Sequence, residues 1–334
     1  MSYAIGILDQ SPVFPDETAK EALVHSIELV KEAEDLGYKR FWVAEHHNME
    51  EVASVSPEVL IAHLLAKTNT IQIGSGGVML QHYSPYKVAE NFHLLDNLAP
   101  GRVDVGIGKA PGGLRLSTKA LQFGTVNDGT DFEERLILLK RILDQDIPKA
   151  HSLYGVQATP LPKEKLALFL LGGSENSAKL ATKLDAHFVF ARFLNNSDDE
   201  LEKVTLLHAQ GNKQRRLIVA LAVLAAETEE RAQQLAKGIK LFEITFADGS
   251  TLAVQSEKQV EALQQQTEEV FTVQEKEVAV ITGTAASIKD KIDRLHEQYN
   301  IDEFIFHTPL QNRQARKESF KQLGKIYQKK RETI

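Results

Sequence analysis

Short β-rich runs alternate with amphipathic helical runs from one end of this chain of 334 residues to the other. The helical runs carry apolar residues every three or four positions, as at Leu23, Ile27 and Val30, so each can bury one stripe against a neighbouring layer. Such alternation predicts parallel strands joined by crossover helices. The candidate strands are Ala4–Asp9, Arg40–His46, Ile71–Leu80, Val103–Lys109, Leu166–Gly172, His187–Phe193, Leu217–Glu227 and Glu303–Thr308.

The eight strand–helix pairs favour a closed (β/α)8 TIM barrel of the α/β class over an open doubly wound sheet. Several strands are nearly continuous apolar runs, as expected where both faces of a strand are covered. Three segments, 114–130, 146–165 and 240–277, do not follow the repeat. None has enough apolar periodicity for a core of its own, so we interpret them as loop insertions on one domain spanning residues 1–334.

Composition excludes several classes of function. The net charge of −7 argues against a protein that binds nucleic acid by neutralising its phosphates. The chain has no cysteine, so disulfides, thiolate nucleophiles and cysteine-based zinc sites are excluded. The first residues do not form a signal peptide, and the longest apolar run, Leu217 to Ala226, is too short to span a bilayer. We therefore expect a cytoplasmic protein with neither a nucleic acid nor a membrane as partner.

Ionisable side chains are densest where the second strand ends, at Glu45, His46 and His47. Catalytic residues of such barrels lie at the C-terminal ends of the strands. Because strand side chains alternate, only one of the two histidines can face the barrel mouth, where it could act as an acid or base near neutral pH. The alternative is that both histidines only bond to neighbouring strands. No ligand set accompanies them at the spacing of a metal site, so no metal is predicted.

Glycines cluster in the third strand, at Gly74, Gly76 and Gly77. Glycine is unfavourable inside a strand and marks a bulge or a position where something flat approaches the backbone. A planar ring fits that description. Equally, the glycines could only relieve crowding inside the barrel.

A strand, a glycine turn and a helix start follow one another at Leu170–Ser177. The free N–H groups of a helix start, with the hydroxyls of Ser174 and Ser177, suit a phosphate group. An ordinary serine N-cap explains the segment equally well. Neither a complete dinucleotide fingerprint nor a Walker A motif is present, so the phosphate would belong to another cofactor class.

Nine segments resemble the bacterial luciferase-like flavin monooxygenases, in particular their short single-chain members, and the resemblance extends over nearly the whole chain. They are Leu8–Val13, Arg40–Asn48, Ser56–Leu60, Gly74–Leu80, Ala89–Phe92, Leu95–Asp96, Pro100–Asp104, Gly106–Gly112 and Leu171–Ala178. The resemblance implies a (β/α)8 barrel with an insertion, commonly a homodimer, that uses reduced flavin mononucleotide (FMN) and dioxygen to oxygenate a small organic substrate. A separate flavin reductase is the implied source of the reduced cofactor.

The resemblance also implies roles for residues. His46 corresponds to the catalytic histidine beside the flavin ring. Glu45, the residue before it, would support His46 without contacting the flavin. The Gly76–Gly77 pair occupies the position of a non-prolyl cis peptide that lies against the ring. Lys109 stands where many relatives have arginine.

The resemblance further implies that Gly173, Ser174 and Ser177 hold the phosphate. Tyr83 and Gln81 depart from the family pattern after the third strand. Two other readings stay open: a deazaflavin-dependent oxidoreductase and a non-catalytic flavin-binding protein.

Overall fold

A computed structural model describes residues 3–125, 128–249 and 251–331. The strands are β1 (Ala4–Asp9), β2 (Arg40–Val43), β3 (Gln72–Ser75), β4 (Val78–Met79), β5 (Val103–Gly108), β6 (Ala167–Gly172), β7 (His187–Ala191), β8 (Leu217–Ala225), β9 (Lys240–Phe246), β10 (Thr251–Val254), β11 (Phe271–Glu277), β12 (Val280–Gly283) and β13 (Glu303–His307). The helices are α1 (Ala19–Asp35), α2 (Pro57–Leu65), α3 (Pro85–Leu98), α4 (Arg115–Leu121), α5 (Phe132–Asp144), α6 (Glu175–Lys183), α7 (Asp198–Ala209), α8 (Glu229–Ala236), α9 (Glu257–Gln266), α10 (Ala285–Tyr299) and α11 (Arg313–Arg331).

The parallel strands close into a barrel, so the predicted (β/α)8 fold class is confirmed. The ring runs β1, β2, β3, β5, β6, β7, β8, β13 and back to β1. Two short strands lie outside the ring: β4 pairs with β5, and β12 pairs with the C-terminal half of β8. The predicted strand Ile71–Leu80 is therefore two strands, separated at Gly76 and Gly77.

The barrel has two separate apolar cores. The larger core lies between the outer face of the barrel and the surrounding helices. A smaller one fills the barrel itself, with Leu8, Trp42, Phe169 and Ile305 among its members. Because strand side chains alternate, Leu8 inside the barrel places Gln10 on the same side, above it. This alternation carries the polar residues beyond the strand ends into the mouth of the barrel.

The start and stop signals in the sequence act as expected at the first helix. Thr18 is the N-cap of α1 and forms a reciprocal capping box with Glu21. Gly37 follows the last turn with φ of 76°, a left-handed conformation that glycine adopts without steric cost.

Segment 240–277 is more regular than the sequence analysis expected. Strands β9, β10 and β11 form an antiparallel sheet, with β9 in the middle. Phe242 and Ile244 of β9 are buried with Leu263 of α9 and with Leu114 from the first insertion. The strand alternates apolar and other residues with a period of two, a signal that a search for helical periodicity passes over.

The other two segments differ from each other. Segment 114–130 contains the short helix α4, and its residues 126 and 127 lie outside the described part of the chain. Segment 146–165 contains neither helix nor strand. In the described ranges, no helix combines the length and apolar character that a membrane crossing requires.

Candidate active site

Glu45, His46 and His47 follow the end of β2, and the side chain of His46 points away from those of the other two, as the alternation predicts. The side chain of His46 faces β1, where its Nε2 lies 3.3 Å from Nε2 of Gln10. His47 instead bonds to Glu45, with 2.7 Å between Nε2 and Oε1. Only His46 therefore faces the barrel mouth. His47 has a structural role, since its hydrogen bond to Glu45 holds both side chains in place.

Burial favours the neutral form of His46. Removal from water lowers the pKa of His46 below that of an ordinary histidine, and the neighbouring His47 acts in the same direction. A hydrogen bond with the backbone of Gly112 and the charge of Glu45 oppose this effect without cancelling it. A neutral imidazole has one nitrogen free to accept a proton, which is what a general base requires.

Glu45 connects the end of β2 to the residues that follow the third strand. It is fully buried, and its carboxylate accepts hydrogen bonds from the backbone N–H of Met79 at 2.9 Å and from the hydroxyl of Tyr83 at 2.8 Å. With His47, this makes three donors on one carboxylate. Glu45 thus fixes the position of β4, directly after the glycine pair, and Tyr83 takes part in that support.

The peptide bond between Gly76 and Gly77 is cis, as the resemblance implies. Both glycines are also tightly packed. A Cβ atom on Gly76 would lie 2.7 Å from Leu8, and one on Gly77 would lie 2.9 Å from the carbonyl oxygen of Gly106. Crowding inside the barrel is therefore sufficient to require glycine at these two positions. It leaves open what lies above them.

The predicted phosphate site lies at the start of α6. Ser174 is the N-cap, its hydroxyl accepts from the backbone N–H of Ser177, and the two hydroxyl oxygens are 3.2 Å apart. The carbonyl of Gly173 accepts from Asn195, and a carboxylate oxygen of Glu200 accepts from the N–H of Glu175 at 2.9 Å. An N-cap serine is thus present, as the simpler interpretation expects. The carboxylate of Glu200 therefore already occupies one of the free N–H groups at this helix start, that of Glu175.

Lys109 is the first residue after β5, the strand that pairs with β6. Its side chain is exposed and forms no ion pair within ranges 3–125, 128–249 and 251–331. It is free to contribute positive charge at the mouth. A lysine lacks the planar fork with which arginine grips a phosphate from two sides.

The donors at the mouth fit a flavin mononucleotide. Two hydroxyls and a helix start suit its phosphate, and several residues at the strand ends are small enough to admit a flat ring. They include Ala44, Gly76, Gly108, Ala191 and Ala222. His46 would lie beside the ring, and Lys109 would balance the negative charge of the reduced cofactor or its phosphate.

Two residues at the mouth were absent from the sequence-based site, namely Gln10 and His307. Gln10 follows β1 and contacts His46, and His307 ends β13 and packs against Phe193 with ring centroids 5.5 Å apart. The rule that chemistry lies at strand ends would have found both. Neither belongs to a dense motif, so the motif search did not select them.

Comparison with known proteins now decides the family. A family model described as luciferase-like monooxygenase matches residues 3–300. An N-acetyl-S-alkylcysteine monooxygenase from Bacillus subtilis (strain 168) is 40% identical over 96% of this chain and 97% of its own. The chain belongs to the luciferase-like monooxygenase family. Its predicted class, a flavin-dependent monooxygenase, is thereby confirmed.

Further relatives agree with this assignment. A luciferase-like monooxygenase from Escherichia coli (strain K12) is 32% identical over 95% of both chains. The crystal structure of apo-MsnO8 superimposes with a TM-score of 0.79 at 27% identity and covers 98% of both chains. The similarity thus covers the insertions as well as the barrel. Family membership by itself selects neither the form of flavin nor the substrate.

Proposed function

We propose that this luciferase-like monooxygenase uses reduced FMN and dioxygen to oxygenate the sulfur of a small organic thioether. The observation that carries the proposal is the position of His46 at the barrel mouth, with its Nε2 3.3 Å from Gln10, and burial lowers the pKa of this histidine. Bound reduced FMN would supply two electrons, so that one oxygen atom of dioxygen goes to the sulfur and the other leaves as water.

Some residues of the chain would bind FMN, and others would take part in proton transfer. Ser174, Ser177 and the backbone at Gly173 would hold the phosphate, and Lys109 would add positive charge. Gly76 and Gly77 would give the ring a flat surface without side chains. His46 would accept and return a proton at Nε2, with Gln10 orienting it and Glu45 fixing the adjoining backbone.

The choice of FMN rests on the phosphate site. Solved structures with this fold include one in complex with FMN and one with an F420–acetone adduct, and each is only 16% identical to this chain. The fold therefore does not choose between a flavin and a deazaflavin. A short phosphate-terminated tail matches a site made from one helix start and two hydroxyls, and this supports FMN.

Titrating the chain with both cofactors tests this choice. We expect fluorescence titrations to give tighter binding of FMN than of F420, in both oxidised and anaerobically reduced forms. Loss of FMN affinity in Ser174→Ala, with no loss in the matched surface variant Ser152→Ala, would support the phosphate site. Tighter binding of F420 would reject FMN as the cofactor.

The substrate is proposed from the relative that acts on N-acetyl-S-alkylcysteine. Oxygenation of a thioether sulfur needs no charged group at the reacting atom. The test supplies N-acetyl-S-benzylcysteine, reduced FMN from a separate flavin reductase, and isotopically labelled dioxygen. Label in a sulfoxide product supports the proposal. Oxygen consumption that yields only hydrogen peroxide with every thioether would contradict it.

We also propose that the chain works as a cytoplasmic homodimer that receives reduced FMN by diffusion from that reductase. The chain has no complete dinucleotide fingerprint with which to bind a nicotinamide itself. Sedimentation velocity at micromolar concentration gives the oligomeric state. Turnover that persists when a dialysis membrane separates the two enzymes would support transfer by diffusion.

A further inference from the structure

Arg316 and His307 each bury a polar atom that lacks a hydrogen-bond partner. Arg316 is 7% exposed and His307 is 8% exposed. Neither Nε of the arginine nor Nδ1 of the histidine has a partner in the part of the chain that the structure describes. A buried donor or acceptor left unpaired is unfavourable, so such atoms are rare unless a ligand or a water molecule satisfies them. These two atoms are therefore candidates for contact with a ligand.

The two side chains line the same cavity, of about 520 Å³, between the barrel mouth and the antiparallel sheet of the third insertion. His307 ends β13, and Arg316 lies in the first turn of α11, the next helix along the chain. Gln10 lines this cavity as well, and its side chain lies 3.3 Å from His46. The charge of His46 also lowers the pKa of His307. Both unpaired atoms thus belong to residues near the proposed base.

The charge of Arg316 is already balanced within the protein. Its Nη2 donates to Asp9 at 2.8 Å, and Asp9 is fully buried, with the backbone N–H of Ser11 as another donor. A carboxylate that approached Nε would also approach the carboxylate of Asp9, and like charges repel at short range. A neutral acceptor such as a carbonyl oxygen meets no such repulsion. Arg316 therefore offers a hydrogen-bond donor without a surplus of positive charge.

His307 offers the complementary group. Burial and then the charge of Arg316 lower the pKa of His307 to about 3, so its ring is neutral near pH 7. A neutral imidazole with its proton on Nε2 presents Nδ1 as an acceptor. The lining of the cavity thus contains one unpaired donor, Nε of Arg316, and one unpaired acceptor, Nδ1 of His307.

We propose that Arg316 and His307 recognise a neutral secondary amide of the substrate, whose oxygen accepts from Nε of Arg316 and whose N–H donates to Nδ1 of His307. The inference rests on the proposed function, and it selects an N-acylated thioether amino acid over the free amino acid. A free ammonium group would lose its water beside the cation of Arg316. Acylation removes that charge and supplies both hydrogen-bonding groups.

An amide and the ester of the same shape test the recognition. N-acetyl-S-benzylcysteine carries the amide N–H, and 2-acetoxy-3-(benzylthio)propanoate of the same configuration has an oxygen in its place. The carbonyl, the carboxylate and the thioether are unchanged. We expect calorimetry with the FMN-loaded chain to show at least about ten-fold tighter binding of the amide, because the ester leaves Nδ1 of His307 unpaired and directs an oxygen lone pair at it.

Two variants assign the two hydrogen bonds. His307→Phe keeps a ring to pack against Phe193 but removes Nδ1, so we expect the amide and the ester to bind within about two-fold of each other. Arg316→Lys keeps a positive charge beside Asp9 but removes the Nε–H group. Both probes share the carbonyl, so we expect both to bind at least about five-fold more weakly, with their ratio unchanged.

Matched controls replace exposed residues of the same types. His63 on α2 and Arg313 on α11 are exposed and lie outside the lining of the cavity. We expect His63→Phe and Arg313→Lys to leave binding of both probes within about two-fold. Urea denaturation and FMN titration of every variant show that it is folded.

The outcomes separate this recognition from the proposed function. Equal binding of the amide and the ester by the unsubstituted chain would overturn it, and this measurement requires no variant to fold. An unchanged preference in His307→Phe, or undiminished binding in Arg316→Lys, would overturn it as well. Sulfoxide formed from both probes with equal KM would reject the recognition and leave thioether oxygenation standing. Tighter binding of the amide without any sulfoxide would support the recognition and count against thioether oxygenation.

Discussion

The two ends of the barrel follow the same rule of alternating side chains but are built for opposite purposes. At the N-terminal end, Arg40 points inward and bonds to both Asp104 and Glu303, and Asp104 also accepts from Nε1 of Trp42 at 2.9 Å. Each buried charge there has a partner, and the end is filled. The C-terminal end instead has several small residues, and the ring of His46 there lies beside Gln10.

This difference shows where the fold can tolerate open space. A buried charge is stable only when it is paired and hydrogen-bonded, so the closed end must satisfy every one of its groups. At the mouth, the strands end in loops and an insertion can cover them. Cofactor and substrate sites can then form between the strand ends and the cover without weakening the closed end.

Removing the central charge of the closed end should have the largest effect. Arg40→Ala would take from the buried carboxylates of Asp104 and Glu303 the cation that lies between them, so we expect the free energy of unfolding to fall by about 3–5 kcal/mol. Urea denaturation measures this free energy. The control is Arg313→Ala, at an exposed arginine, for which we expect a loss of less than about 1 kcal/mol. A small loss for Arg40→Ala would mean that the closed end does not depend on its ion pairs.

The complementary change at the mouth should affect turnover and leave stability nearly intact. His46→Ala removes the proposed base, so we expect kcat to fall by about 10²–10⁴-fold with FMN affinity little changed. His63 is exposed on α2, and His63→Ala provides the control. Steady-state rates of sulfoxide formation and FMN titrations measure the two quantities. Undiminished turnover in His46→Ala would remove the histidine from the mechanism.

Each end contains a histidine whose pKa is strongly lowered by burial, which makes stability depend on pH. Burial lowers the pKa of His187 to about 4 and of His307 to about 3, both below the value in the unfolded chain. Between pH 6.5 and these values the unfolded chain binds more protons, so acidification destabilises the fold by up to roughly 1.4 kcal/mol per pH unit for each histidine. Denaturation at pH 6.5 and pH 5 should show a smaller slope in His187→Gln and in His307→Gln. An unchanged slope in either variant would contradict the assignment for that end.

The smallest predicted effect concerns the helix start at the mouth. The carboxylate of Glu200 accepts a hydrogen bond from the N–H of Glu175, and this bond lowers the pKa of the carboxyl group. Glu200 therefore keeps a negative charge beside the proposed phosphate site. Glu200→Gln removes that charge, so we expect FMN to bind about two- to five-fold more tightly. Glu202→Gln on the same helix is the control, and fluorescence titration is the measurement. Weaker binding in Glu200→Gln would place the phosphate elsewhere.

Much of the fold was predictable because parallel barrels leave a regular pattern in the sequence. The eight barrel strands, the first helix with its Thr18 cap and the polar residues after β2 follow from local periodicity and capping chemistry. The antiparallel sheet at β9–β11 was not predicted. Its alternation is short, and its core depends on Leu114, which lies far away in the sequence.

The sequence by itself determined the class of fold, the absence of thiol chemistry and the strand ends that carry chemistry, because these depend on composition and on residues close together in the chain. Only the tertiary structure decided that His46 and not His47 faces the mouth, that Gln10 lies beside it, and that Arg316 donates to Asp9. The last of these relations connects residues from opposite ends of the chain. It arises only when the barrel closes, because β13 then pairs with β1 and brings Asp9 and Arg316 together.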